Sequence, residues 1–147
     1  FLRPLGLRLC TKTNTPFVLV SADLNGLKTI NDTYGHADGD IAISTVGQAL
    51  AQESSASATC ARFGGDEFVA AWACNSSSSE EEAAFRKRIQ NYLDEFNASS
   101  GKPYTISSSL GIVVAVPSED ITLDEFIKVT DEKMYEEKAK YHQTHKR

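Results

Sequence analysis

No two of Cys10, Cys60 and Cys74 stand at a CxxC or zinc-ligand spacing, which argues against a metal knuckle or a disulfide framework as the organising device. They read instead as small apolar packing residues in a reducing compartment. No apolar run approaches the ~18 residues of a membrane span, and no signal peptide is visible. A basic excess is missing too: 15 Lys and Arg stand against 20 Asp and Glu, a net charge of -5. That balance disfavours a protein that coats a nucleic-acid polymer. It leaves room for a nucleotide, because one metal ion and a few lysines neutralise a triphosphate locally. No internal repeat is evident. The expected setting is cytoplasmic, either in its own right or as the cytoplasmic domain of a membrane-bound sensor, with no insertion of this chain into the bilayer.

What remains is a chain of 147 residues with 41% hydrophobic and 24% charged content, sufficient for one domain with its own core. We read residues 1–147 as that single domain. The abrupt opening at Phe1-Leu2-Arg3-Pro4 suggests truncation at the N-terminus and a longer parent protein. Phe17 to Leu24 is an almost unbroken apolar run, expected of a central strand covered on both faces. A short helix is predicted over Leu27–Tyr34, broken by Gly35, and a second opens at Asp38-Gly39-Asp40 and runs to about Gln52. Ala58–Phe63 and Glu67–Ala73 read as the two strands of a hairpin. The serine-rich stretch from Cys74 to Ser79 is a loop. Glu80–Ala98 is a helix with acids at its start and Phe85, Ile89, Leu93 and Phe96 at helical spacing. Tyr104–Val116 reads as one long strand or two short ones. Thr122-Leu123-Asp124-Glu125 is a capping box for a last helix to about Tyr141. Helices must then cover a mostly antiparallel sheet, an α+β arrangement of the ferredoxin-like kind.

Within that frame the chemistry-bearing residues gather at strand ends. Gly64-Gly65 reads as the hairpin turn, with Asp66 and Glu67 directly behind it. Taken alone, Asp66 is equally a turn-forming aspartate. If the first strand neighbours the hairpin, however, Asp23 and Asp66 converge. Two carboxylates with a backbone carbonyl suit magnesium, which takes few protein carboxylates and fills its shell with water and substrate phosphate. Phosphoryl or nucleotidyl transfer follows from such a site. Downstream of Asp23, Gly26 permits close backbone approach to a ligand, and the helix starting there aims free amides at an anion. Lys28 reads as a phosphate partner or as an ordinary solvated lysine. Asn31 and Asp40 can read the edge of a guanine, or serve as a turn former and a helix-start acid. His36 beside Gly35 is as readily a structural residue as a ligand.

The run Asp23-x-Asn25-x-Leu27-Lys28-x-Ile30-Asn31-Asp32-x-x-Gly35-His36-x-x-Gly39-Asp40, followed by Arg62-Phe63-Gly64-Gly65-Asp66-Glu67-Phe68, resembles the GGDEF family, the diguanylate cyclases. Ser109-Leu110-Gly111-Ile112 and Asp131 to Lys138 resemble that family's closing strand and helix. The likeness extends from about Phe17 to Lys140 and implies a polymerase-palm-like fold. It implies condensation of two GTP molecules to cyclic di-GMP with loss of two pyrophosphates, each subunit of a homodimer presenting one GTP. By the same resemblance Asp23, Asp66 and the Leu24 carbonyl ligate Mg2+, for which Mn2+ can substitute. Asp66 is the candidate proton acceptor, with Glu67 beside it. Asn31 and Asp40 read guanine, His36 lies in the same segment, and Lys28 and Lys138 contact phosphate. An upstream sensory or dimerisation domain is the expected partner.

The chain departs from the family pattern at identifiable points. Ser55-Ala56-Ser57-Ala58 occupies the place of the inhibitory Arg-x-x-Asp motif, so product inhibition through that site is expected to be absent. Asn25 replaces the second acid of the usual Asp-x-Asp. His142 stands where an arginine normally touches phosphate, and without the guanidinium fork it predicts weaker triphosphate binding. His142 and the bare inhibitory loop keep open a catalytically silent module that binds GTP or signals by protein contacts, whereas Asn25 leaves the metal-binding acid Asp23 intact. Another nucleotidyl cyclase on the same palm is disfavoured by the guanine-reading pair.

Overall fold

A computed structural model describes residues 15–74, 79–115 and 123–145. In chain order these form β1 (Phe17–Leu24), α1 (Leu27–Tyr34), α2 (His36–Glu53), β2 (Thr59–Gly64), β3 (Glu67–Ala73), α3 (Ser79–Ser99), β4 (Ser108–Ala115) and α4 (Leu123–Thr144). The strands make one sheet in the order β2-β3-β1-β4, antiparallel at every pairing. The expected α+β class and the central place of β1 hold. Cys10, the N-terminal start, most of the serine-rich loop and the first residue of the capping box, Thr122, lie outside the described residues.

Strand periodicity sorts β1 between two layers. Val18, Val20, Ala22 and Leu24 pack into the larger core with Val46 and Leu50 of α2 and Phe85, Ile89 and Leu93 of α3. Phe17 and Leu19 join Val69, Ala71 and Phe126 in a smaller core beneath α4. Ser21 and Asp23 continue that odd-numbered face, so the period of two itself aims Asp23 at α4.

Contacts at one glycine let α4 lie close to the sheet. A Cβ on Gly111 would sit 1.9 Å from the Thr130 carbonyl oxygen and 2.7 Å from the Met134 nitrogen, both backbone atoms of α4. Beside it, Ser21 Oγ donates to Asp131 Oδ1 at 2.6 Å.

Three local expectations need correction. The second helix begins at His36, ahead of the predicted Asp38, because Gly35 at φ 97° both ends α1 and starts α2. The Gly39 amide already donates to the Gly35 carbonyl. Residues 104–107 are not strand. The Ile106 amide donates to Asn97 Oδ1 at 2.8 Å and its carbonyl accepts from Asn97 Nδ2 at 2.9 Å, which takes its backbone out of the ladder. Lastly, Gly64 pairs with Glu67 after a register shift between Arg62 and Gly64, so the two central turn residues are Gly65 and Asp66. Both glycines adopt positive φ, 133° and 20°.

Candidate active site at the carboxylate end of the central strands

Asp23 sits next to last in β1, opposite Glu67 of β3 on one side and Ser109 of β4 on the other. The hairpin turn is tied directly to it: the Leu24 amide donates to the Asp66 carbonyl at 3.0 Å. Arg62 fixes the turn from behind, its Nε and Nη2 donating to the Gly65 carbonyl at 3.0 and 2.7 Å. The predicted convergence of Asp23 and Asp66 is therefore present, with the Asp66 carboxyl adjoining that of Asp23.

Asp23 is only 6% exposed. Burial pushes its carboxyl up to about 6, the Lys138 ammonium pulls the other way, and the Asp66 carboxyl adds to the rise. A raised carboxyl binds its proton more tightly in the folded chain than in the unfolded one. The stability this lends is present below about 3.8 and is lost as pH rises through about 6. At neutral pH Asp23 is thus a buried negative charge that a cation would relieve.

The donor set fits a hard divalent ion. Asp23 Oδ1 is buried, and among the described residues no donor meets it with hydrogen-bond geometry, although Lys138 Nζ lies 3.3 Å away as an ion pair. The same ammonium donates to the Leu24 carbonyl at 2.7 Å. Among the described residues no group of three or more His, Cys, Asp or Glu side chains is gathered as a metal cage. Two carboxylates and a backbone carbonyl suit an ion that completes its shell with water and phosphate. Glu67 turns aside: its Oε1 accepts from the Tyr135 hydroxyl at 3.2 Å.

The remaining predicted residues are distributed along α1 and α2. Asn31 is half-buried with its side chain over Gly39, where a Cβ would fall 1.8 Å from Asn31 Oδ1. Asp40 and His36 are exposed on the first turns of α2. Asp38 between them anchors that end, accepting from Lys102 Nζ at 3.0 Å and from the Tyr104 hydroxyl at 2.8 Å. Those hydrogen bonds hold its carboxyl below the ordinary range. Lys28 is not drawn to the carboxylates. It lies in solvent, paired with Asp32 at 2.7 Å. Lys138, for which a solvated helix lysine was the plain alternative, is instead inside the site.

Two features escaped sequence reasoning. Tyr135 lies one helical turn before Lys138, a spacing that places both on one face of α4, and only the fold shows that face meeting Glu67 and Asp23. Asn25, read only as a missing acid, is a buried staple. Its Oδ1 accepts from Ser109 Oγ at 2.8 Å and its Nδ2 donates to Ser107 Oγ at 3.1 Å. An aspartate there would lack the Nδ2 donor.

The sequence profile of the family described as "Diguanylate cyclase, GGDEF domain" matches residues 4–144. Diguanylate cyclase DosC of Escherichia coli K12 is 30% identical over 124 residues, 84% of this chain and 26% of that protein. The chain thus spans about a quarter of that curated relative. The solved GGDEF domain of PA1120 from Pseudomonas aeruginosa superposes with a TM-score of 0.77 at 24% identity, covering 92% of this chain and 78% of that one. That of DgcB from Caulobacter crescentus, in complex with c-di-GMP, gives 0.73 at 19%, covering 91% and 78%. Among the described residues no helix is long and apolar enough to cross a membrane.

Proposed function

From the premise that this chain belongs to the GGDEF, diguanylate cyclase, family, we propose that it condenses two GTP molecules into cyclic di-GMP. The observation that carries this reading is the buried Asp23 carboxylate beside that of Asp66, with the Lys138 ammonium bridging it to the Leu24 carbonyl. Asp23, Asp66 and Leu24 O would hold Mg2+ or Mn2+, which when bound supplies charge neutralisation on the triphosphate.

Asp66, in a turn open to the edge of the sheet, takes the proton of the ribose 3′-hydroxyl. The freed oxygen bonds to the α-phosphorus of a second GTP, and the bond from that phosphorus to pyrophosphate breaks. Repetition with the roles reversed closes the ring and releases the second pyrophosphate. One chain presents one such centre, so a homodimer provides the two faces. Asp40 accepts from guanine N1–H and the N2 amine, and Asn31 pairs the adjoining edge, with His36 beside them. Lys28, free to leave Asp32, and Lys138 meet phosphate oxygens. A segment upstream of this chain supplies the signal and the dimer contacts.

The direct test is to incubate the full-length protein with GTP and Mg2+ or Mn2+ and chromatograph the nucleotides. Cyclic di-GMP is the expected product. GTP bound without product in a verified dimer would sink the reading in favour of a silent module, for which His142 in place of arginine is the favouring observation.

Guanine recognition gives a separate prediction. In Gly39→Ala the new methyl group displaces the end of a flexible side chain, Asn31, rather than backbone. The fold should survive, while KM for GTP rises about tenfold through loss of one hydrogen-bonded contact of ~1.4 kcal/mol. An unchanged KM in steady-state assays would remove Asn31 from the binding set.

A further inference from the structure

We propose that the Lys138 ammonium is the resident counter-charge of the Asp23–Leu24 oxygen pair in the nucleotide-free chain, and that it exchanges places with the divalent ion on loading. The inference rests on the metal site proposed above and adds a competitor built into the same chain.

Both oxygens that the ammonium meets, Leu24 O at 2.7 Å and Asp23 Oδ1 at 3.3 Å, belong to the set assigned to the ion. Lys138 is no surface lysine that happens to lean in: its side chain is 16% exposed and that of Asp23 is 9% exposed. Two cations cannot share that pair in a partly desolvated setting, where like charges repel far more strongly than in water. The helix cannot carry the ammonium away, because α4 is seated against Gly111 and bonded through Asp131 to Ser21. Exchange therefore falls to the four-carbon stem of Lys138, whose rotamers are soft. Tyr135, one turn earlier, holds Glu67 in the same way, so one face of α4 tends both acids of β1 and β3.

The consequence is coupling. Without nucleotide the ion must evict a lysine already bonded to Leu24 O and paired with Asp23, so divalent binding is weakened. A bound triphosphate offers the displaced ammonium new partners, and by reciprocity the ion then favours nucleotide by the same factor.

Mn2+ binding to the nucleotide-free chain, followed by electron paramagnetic resonance of the free ion at fixed pH, tests the exchange. Lys138→Met should bind Mn2+ about tenfold more tightly than the wild type, and Asp23→Asn should abolish binding in both backgrounds. Equal, Asp23-dependent affinity with and without the lysine overturns the exchange and leaves the metal site standing. Absence of Mn2+ binding in both chains overturns the exchange and the metal site together. A second measurement needs no variant. The side-chain ammonium signal of Lys138 in the 15N-labelled wild type should shift on titration with Mg2+, saturating with the bound ion. A signal that stays in place while Mg2+ binds overturns the proposal.

Discussion

Asp66→Asn is expected to abolish cyclic di-GMP formation, on the order of 10³-fold or more, while leaving the fold as stable as before. The two halves of that expectation have separate causes. Asn keeps the size of the side chain, and it keeps the backbone carbonyl that accepts from the Leu24 amide. Gly65, at φ 20°, still makes the turn, and Arg62 still holds its carbonyl. What disappears is a negative charge beside Asp23. Burial is the main reason that Asp23 is raised to about 6, but the Asp66 carboxyl contributes, so its removal makes the Asp23 charge easier to hold at neutral pH. Stability should therefore stay within about 0.5 kcal/mol of the wild type or rise slightly. Nucleotide chromatography and thermal unfolding of the same preparation check both halves. Turnover retained within tenfold would remove Asp66 from the reacting centre, whereas loss of activity through unfolding would show at once in the melt.

The fold and the site were legible to different depths. β1 announced itself because an eight-residue run interrupted only by Ser21 and Asp23 has few homes other than a strand covered on both faces. The meeting of Asp23 with Asp66 followed once β1 was set beside the hairpin. Lys138 was not legible from local pattern. It contacts a carbonyl 114 positions away, and nothing in helical spacing distinguishes it from Lys133 or Lys140 on the same helix. Its placement is decided by packing at Gly111 and by the strand period that points Asp23 toward α4. The same limit explains residues 104–107, whose apolar and β-branched character suits a strand until the Asn97 side chain, from another element, takes both backbone groups of Ile106. The exact turn position failed for a subtler reason: two adjacent glycines permit either register, and the shift between Arg62 and Gly64 chose between them.

Gly111→Ala is expected to be the most damaging small substitution in the sheet. Gly111 lies opposite Ser21 in the ladder, on the face that α4 covers. An added Cβ would meet the Thr130 carbonyl oxygen at 1.9 Å, the Met134 nitrogen at 2.7 Å and the Thr130 carbonyl carbon at 2.9 Å. These are backbone atoms of a helix in mid-course, so no rotamer change relieves them. The helix must lift from the sheet as a body. Lifting stretches the Ser21–Asp131 hydrogen bond at 2.6 Å, the Lys138 bond to Leu24 at 2.7 Å and the Tyr135 bond to Glu67 at 3.2 Å together. Overpacking with the loss of these contacts should cost about 3 kcal/mol. At roughly 2–4 °C per kcal/mol for a domain of this size, calorimetry should record a melting temperature lower by about 10 °C. Gly47→Ala is the informative contrast, because there the added Cβ would meet the ring of Phe68 at 3.1 Å, a side chain able to tilt. Its effect should be under about 1 kcal/mol. An equal loss at the two positions would mean that α4 is not held to the sheet through Gly111. It would also free the Lys138 backbone to move, and the exchange of ammonium for metal would no longer be confined to its side chain.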